Sequence, residues 1–395
     1  MNTNELKIPG GFLFGGIGCG IKQNSTLDLS LVAGEKPCVA AGVYTQNVVR
    51  AACIDWNRRV TPTDSLRVVV TNSGNANACT GEEGVQNCQR TAELAAARFG
   101  CKAEEIIVLS TGVIGAQLPM SCLENGIPQC ELGSDTEHFI RSADAILTTD
   151  NGRKLATTSL SINGYDGTIS GMAKGAGMIG PNMATMLSII VTDFKMSAST
   201  AQKLLTEAVN KSFNRISVEG HTSTNDAVIL LSSGIGAEVE TTSQEQFAEA
   251  LTAISIQMAK QIPSDGEGAT KLIEIRVSGA ENEHQADQVA RTIAGSALVK
   301  TAITGCDPNW GRIVSAAGYS GAKIDLAQMM LSLNGHTVFN DGQPVPFDEQ
   351  AVSQAIAGQS TTLIELKIGA GQGNSTHWTS NLTSEYIRIN SEYRT

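Results

Sequence analysis

Little in this chain suits a nucleic-acid or membrane surface. Lysine and arginine together number 28 against 39 acidic residues, giving a net charge of −11, and no basic run interrupts the deficit. Phosphate recognition needs clustered cations, so the balance excludes a nucleic-acid partner and is read as solubility. No apolar stretch reaches membrane-spanning length, and the opening MNTNELKIPGG has neither the basic nor the apolar region of a signal peptide. The expected location is the cytoplasm. Histidine is scarce too: His138, His221, His284, His336 and His377 are scattered, none at HxxxH or HExxH spacing. The nine cysteines form no CxxC pair and are odd in number, which fits neither a zinc ribbon nor a disulfide framework and leaves buried free thiols. Neither a metal nor a cofactor is expected.

What is present is an ordinary globular composition, 41% hydrophobic and 17% charged. Domains typically run to about 250 residues at most, so 395 residues predict two packed lobes. Strand and helix patterns mix along the whole length. LRVVV (Leu66 to Val70), Ile106 to Leu109, Leu187 to Val191, Ala227 to Leu231 and Leu272 to Val277 read as strands. Glu82 to Phe99, Thr136 to Ile146, Thr200 to Phe213 and Gln244 to Lys260 carry helical spacing. Polar, glycine-containing turns, TNSGNAN and STGVIG, follow the first two strands. The pattern predicts a mixed α/β (α+β) fold with polar loops at strand ends, a common place for a site.

KGAGMIGPNMATMLSIIVTDF (Lys174 to Phe194) poses the central question. Gly175, Gly177 and Gly180 match GxGxxG, but Pro181 follows at once, the next element reads as a strand, and no acid stands about 20 positions on. A dinucleotide site is therefore excluded, and the glycines are expected to fold the backbone sharply around the Ala184-Thr185 bond. Thr185 by itself suits the first residue of a strand. Its neighbours suggest more. A hydroxyl beside a strained peptide attacks the preceding carbonyl, and hydrolysis of the resulting ester frees the α-amine of Thr185. With a reference pKa of about 7.7–8.0, that amine is a base near neutral pH and activates its own Oγ without a histidine.

Three further places carry candidate chemistry. In STGVIG, Thr111 offers a hydroxyl and Gly112 a backbone N–H, two donors suited to a developing oxyanion, although an ordinary turn has the same composition. In DGEGATK (Asp265 to Lys271), Glu267 suits a cationic substrate group, or the loop is simply solvated. Lys174 suits a substrate carboxylate, or lies on the surface.

These pieces, in this order, resemble the ornithine acetyltransferase family of arginine biosynthesis, the bifunctional glutamate N-acetyltransferase group. The likeness rests on NSGNANACTG (Asn72 to Gly81), STGVIG, LTTD (Leu147 to Asp150), GMAKGAGMIGPNMATML, TSTNDA (Thr222 to Ala227), DGEGATK, GCDPNWGRI (Gly305 to Ile313) and YIRINSEYRT, and spans nearly the whole chain. It implies a precursor of two lobes, distinct in fold from the usual amino-terminal hydrolases, that cuts itself between Ala184 and Thr185. The products are an α chain of residues 1–184 and a β chain of residues 185–395, assembled as two α and two β chains.

By the same resemblance Thr185 is the nucleophile and Thr111 with Gly112 the oxyanion hole. Thr148, Lys174, Thr185, Glu267, Asn390 and Thr395 contact substrate. The implied reaction moves acetyl from N-acetylornithine to glutamate through an acetyl-threonine, releasing ornithine, with acetyl-CoA a possible second donor.

Two segments depart from the family pattern. SVEGH carries Glu219 and His221 where aspartates are expected, and NGRK follows LTTD in place of a threonine, an apolar residue and a proline. Three alternatives stay open: a self-processed, aminopeptidase-like hydrolase in which water resolves the acyl-enzyme, an acyltransferase of specialised metabolism, and an amino-acid-binding protein without a working nucleophile.

Overall fold

The computed structural model describes residues 5–23, 26–180 and 186–392. The chain divides into two compact units. Of the described residues, the first holds those up to Asn214 together with His221–Ile262, and the second holds Arg215–Gly220 and those from Pro263 onward.

In chain order the first unit contains β1 (Phe12–Ile17), β2 (Leu29–Tyr44), α1 (Ala52–Val60), β3 (Thr63–Asn75), α2 (Gly81–Phe99), β4 (Ile106–Val113), α3 (Met120–Gln129), α4 (Thr136–Ala145), β5 (Lys154–Ile162), β6 (Tyr165–Lys174), β7 (Leu187–Thr192) and α5 (Ala198–Asn210). After β8 (Ile216–Ser217), which belongs to the second unit, come β9 (Ala227–Ser232) and α6 (Gln244–Ser264). Among the described residues its strands form one eight-stranded sheet in the order β4-β3-β2-β9-β7-β6-β5, with β1 on β2. The β3/β4 and β7/β9 pairs are parallel; the rest are antiparallel.

Sequence explains these positions. LSIIVT of β7 and AVILLS of β9 are buried at every residue, as befits central strands covered on both faces. KLATTSLSI of β5 exposes several residues, as an edge strand allows. Helix α2 buries Cys88, Thr91, Ala92, Ala95 and Ala96, and stops at Gly100, whose φ of 62° is the left-handed cap that glycine supplies without steric cost. Asp135 and Ser197 cap α4 and α5 by accepting from His138 N and Thr200 N.

The second unit continues with β10 (Leu272–Ala280), α7 (Glu283–Gly295), α8 (Ala297–Thr304), α9 (Trp310–Gly318), β11 (Met330–Leu333), β12 (His336–Asn340), β13 (Gln343–Pro344), α10 (Glu349–Ala357), β14 (Thr361–Lys367), β15 (Gly373–Ser380) and α11 (Ser384–Glu392). Its sheet runs β13-β12-β11-β14-β10-β15-β8. Ile273, Ile275 and Val277 of β10 pack with Val289, Ala290 and Ile293 of α7 in a core of its own.

Two expectations need correction, and a third is untested. TNSGNAN and STGVIG are not simple turns: β3 runs on to Asn75 and β4 to Val113, in parallel register with Ser73 opposite Thr111 and Gly74 opposite Gly112. Polar residues persist in these buried strands because they bond one another, Ser110 Oγ donating to Asn72 Oδ1 at 2.7 Å and Asn72 Nδ2 to Asn75 O at 2.8 Å. The fold expected around the Ala184-Thr185 bond lies outside the described residues; before it, Gly175 takes a positive φ (151°), and so does Met178, at 58°. That conformation is uncommon for a residue with a Cβ. All nine cysteines are free, but only Cys38, Cys53, Cys88 and Cys130 are buried, and Cys79 is exposed in the turn before α2. Among the described residues no helix is long and apolar enough to cross a membrane, and no group of three or more His, Cys, Asp or Glu could hold a metal ion.

Candidate active site

Thr111 and Lys174 begin far apart in the pairing order. Thr111 lies on β4 and Lys174 on β6, with β3, β2, β9 and β7 between them. Neighbouring strands are spaced about 4.8 Å apart, so a flat sheet would separate these residues by roughly 24 Å. Instead Lys174 Nζ donates to Thr111 Oγ1 at 3.3 Å, with both side chains buried. The sheet therefore curls back on itself. The pairing of β2 with β3 shifts register twice between Ala33 and Ala40, where such a long strand can bend.

Gly112 follows with φ 135°, and a Cβ there would lie 2.3 Å from Gly74 C and 2.5 Å from Asn75 N. Any other residue would force β3 and β4 apart. Asn225, just before β9, donates to Ser110 O at 2.9 Å and Ala76 O at 2.7 Å. It thereby fixes the peptide whose N–H belongs to Thr111.

Asp150 ties the other candidates together. Its Oδ2 accepts from Thr148 N at 3.0 Å, and its Oδ1 accepts from Gly175 N at 2.6 Å and from Lys154 Nζ at 2.5 Å. Lys174 Nζ stands 3.9 Å from Oδ2. Burial by itself would raise this carboxyl, but Lys174, then Lys154, with the bonds from Lys154 and Gly175, hold it down at about 2. Lys22, lowered by burial, donates to Leu147 O at 2.6 Å and so braces the start of LTTD. Its own backbone N–H and those of Cys19, Gly20 and Ile21 all converge on the buried Asp28 carboxylate.

A second buried aspartate lies beside the next strand. Asp226 Oδ1 accepts from Met186 N at 2.8 Å, while Oδ2 meets no hydrogen-bond partner among the described residues. Burial pushes this carboxyl well above the usual range, against the opposing pull of the Met186 N–H and Lys174.

In the second unit Glu267 is buried and accepts from Asn390 Nδ2, on α11, at 2.9 Å. Gly268, at φ 68°, lets this turn approach the helix: a Cβ there would sit 2.4 Å from Tyr386 N. The Tyr386 hydroxyl is pushed up to about 12 by burial, then by Glu219 and Glu267. Glu219, one of the departures from the family pattern, thus shares a tyrosine with a candidate substrate residue. It also opposes the effect of burial on Lys300, which is lowered to about 8 and donates to Val218 O. His221, the other departure, is exposed.

Of the predicted site residues, Thr111, Gly112, Thr148 and Lys174 therefore gather in the first unit, and Glu267 pairs with Asn390 in the second. Ala184, Thr185 and Thr395 lie outside the described residues. Reading the sequence missed the working parts of Asp150, Asn225 and Asp226, though LTTD and TSTNDA had flagged their neighbourhoods. An aspartate that closes a motif after two threonines was the available signal.

Comparison with known proteins identifies the family. The model of the ArgJ family matches residues 13–395. A protein of Rhodopirellula baltica described as arginine biosynthesis bifunctional protein ArgJ is 46% identical over 400 aligned residues, covering 100% of this chain and 98% of the relative. Its counterpart in Symbiobacterium thermophilum is 44% identical, covering 99% of this chain and 98% of its own. Among solved structures, a chain of the arginine biosynthesis bifunctional protein ArgJ from Bacillus halodurans superposes with a TM-score of 0.52 at 38% identity. That chain is matched over 100% of its length yet spans only 53% of this one.

Proposed function

The chain belongs to the ArgJ family, and from that premise we propose that it is a glutamate N-acetyltransferase that takes acetyl from N-acetylornithine through a threonine ester. The observation that carries this reading is the buried Thr111, held by Lys174 and followed at once by Gly112, at the exit of β4. Two donors side by side in a dry, fixed strand end are what a tetrahedral oxyanion requires.

The first reaction is on the chain itself. Thr185 Oγ attacks the Ala184 carbonyl, the peptide C–N bond breaks as the ester forms, and water then cleaves the ester. Ala184 is left as a carboxylate and Thr185 with a free amine.

In transfer, the amine removes the hydroxyl proton as Oγ adds to the acetyl carbon. Thr111 and Gly112 stabilise the oxyanion, and the amine returns the proton to the departing nitrogen of ornithine. The amino group of glutamate then attacks the acetyl ester, displacing Thr185 Oγ and giving N-acetylglutamate. No cofactor enters, because every proton and electron pair is supplied by substrate and the threonine.

Lys174 receives the α-carboxylate that both substrates carry. Thr148, Glu267, Asn390 and Thr395 are the further substrate contacts that the family resemblance implies. The family resemblance implies acetyl-CoA as a possible second donor and an assembly of two α with two β chains.

Mass spectrometry of the purified protein tests the cut, with pieces of 184 and 211 residues expected. Thr185→Ala is expected to stay whole and to make no acetylglutamate from N-acetylornithine and glutamate. Full transfer by that variant would sink the nucleophile, and accumulation of acetate in place of acetylglutamate would favour a hydrolase.

A further inference from the structure

The direction of one hydrogen bond goes beyond this scheme. An ammonium group has donors and no acceptor, so Thr111 Oγ1 must be the acceptor in its bond to Lys174 Nζ. The hydroxyl proton is thereby turned away from Lys174. Among the described residues Thr111 Oγ1 donates to no one. A buried hydroxyl in this state has its lone pair occupied and its proton available, which is the rotor setting an oxyanion donor needs before substrate arrives. A neighbouring positive charge also polarises the O–H bond.

Lys174 is itself held. Asp150 bonds the backbone N–H of the next residue, Gly175, and stands 3.9 Å from the ammonium, while its other contacts reach Thr148 and Lys154. The end of β6 is thus fixed by the same carboxylate that shapes the LTTD segment.

We propose that Lys174 is a positioning residue of the oxyanion hole, acting through Thr111, in addition to any contact with a substrate carboxylate, and that Asp150 keeps it there. This rests on the acyl-transfer reading above. It differs from a carboxylate-binding role in one respect: it applies equally to a substrate that has no carboxylate.

The experiment uses p-nitrophenyl acetate, an acetyl ester without an α-carboxylate, on processed protein. Acetylation is followed by nitrophenolate release and by the mass of the chain beginning at Thr185. Lys174→Met and Thr111→Val are each expected to slow acetylation roughly 10–100-fold, the double variant being no slower than the slower single one. A wild-type rate for Lys174→Met, or a double variant slowed by the product of the two factors, overturns the proposal.

Should Lys174→Met remain uncut, Asp150→Asn carries the same test. It is expected to slow the ester reaction several-fold, with Asp150→Glu recovering part of the loss, and a wild-type rate for processed Asp150→Asn overturns the proposal equally. A wild-type protein that the ester does not acetylate sinks both readings. One that is acetylated but makes no acetylglutamate refutes only the choice of amino-acid substrate.

Discussion

Asp150 and Asp226 are both buried in the first unit, and their carboxyls are driven in opposite directions. Asp150 lies against Lys154 and Lys174 and is held at about 2, whereas Asp226 bonds one backbone N–H and is pushed well above the usual range. Burial is the largest influence on each. The difference lies in whether cations and donors are close enough to offset desolvation. A charge is kept at Asp150, where two candidate site residues, Thr148 and Lys174, share a common anchor. Asp226, beside the first residue after the proposed nucleophile, retains a carboxyl with one oxygen that meets no hydrogen-bond partner among the described residues.

The most severe way to break the contrast is Asp150→Ala. Removing one partner of a buried ion pair costs about 3–5 kcal/mol, and two buried ammonium groups lose this carboxylate here. Urea melts of wild type and variant measure the loss; a difference under about 1 kcal/mol would mean that Asp150 is no anchor.

Acid titration sharpens the comparison next. The folded pKa of Asp150 is depressed, so its contribution is present above the unfolded value near 3.9 and is lost as pH falls through about 2. That contribution is about 2–3 kcal/mol, on the order of two pKa units. Wild type is expected to lose this amount between pH 5 and pH 2 relative to Asp150→Asn, measured as the change in melting midpoint. Parallel profiles would refute it.

Asn225→Ala probes the brace that stands beside Asp226. Two buried carbonyls, Ser110 O and Ala76 O, lose their donor, at a cost of about 1–3 kcal/mol, and the Thr111 peptide is freed to move. Acetylation by p-nitrophenyl acetate is expected to slow along with the stability loss. An unchanged rate would separate the brace from the oxyanion hole.

Asp226→Asn should cost the least stability of the four changes, because it removes no charge that the fold uses. A raised folded pKa means that the native state holds its proton while the unfolded state releases it, so stability is full below about 3.9 and falls as pH rises toward the folded value. An amide mimics the neutral acid and carries no such pH-dependent penalty, so the variant is expected to be at least as stable as wild type at pH 8, measured by urea melts. A strongly destabilised variant at pH 8 would show that the carboxyl is ionised after all.

Element types were largely legible from pattern. The largely apolar runs at Leu187 and Ala227 became central strands, and the spacing after Glu82 became α2. The extents of β3 and β4 were not legible. Asn72, Ser73, Ser110 and Thr111 look like turn residues to any local rule, and they remain in strands where Asn72 and Ser110 bond each other and Asn225, 115 residues away from Ser110, bonds its carbonyl. Asp150 was visible as part of a motif but had no role, because nothing local reveals that Lys154 and Lys174 converge on it.

The sequence by itself determined the mixed strand-and-helix class, the family and the identity of the chemical groups, since these follow from residue type, period and order along the chain. The tertiary structure decided which groups share a charge and which hydroxyl accepts from which ammonium. Those relations depend on the curl that brings β4 and β6 together across four intervening strands. Distance and dielectric set the energy of a charge, and neither is a property of position along a polymer.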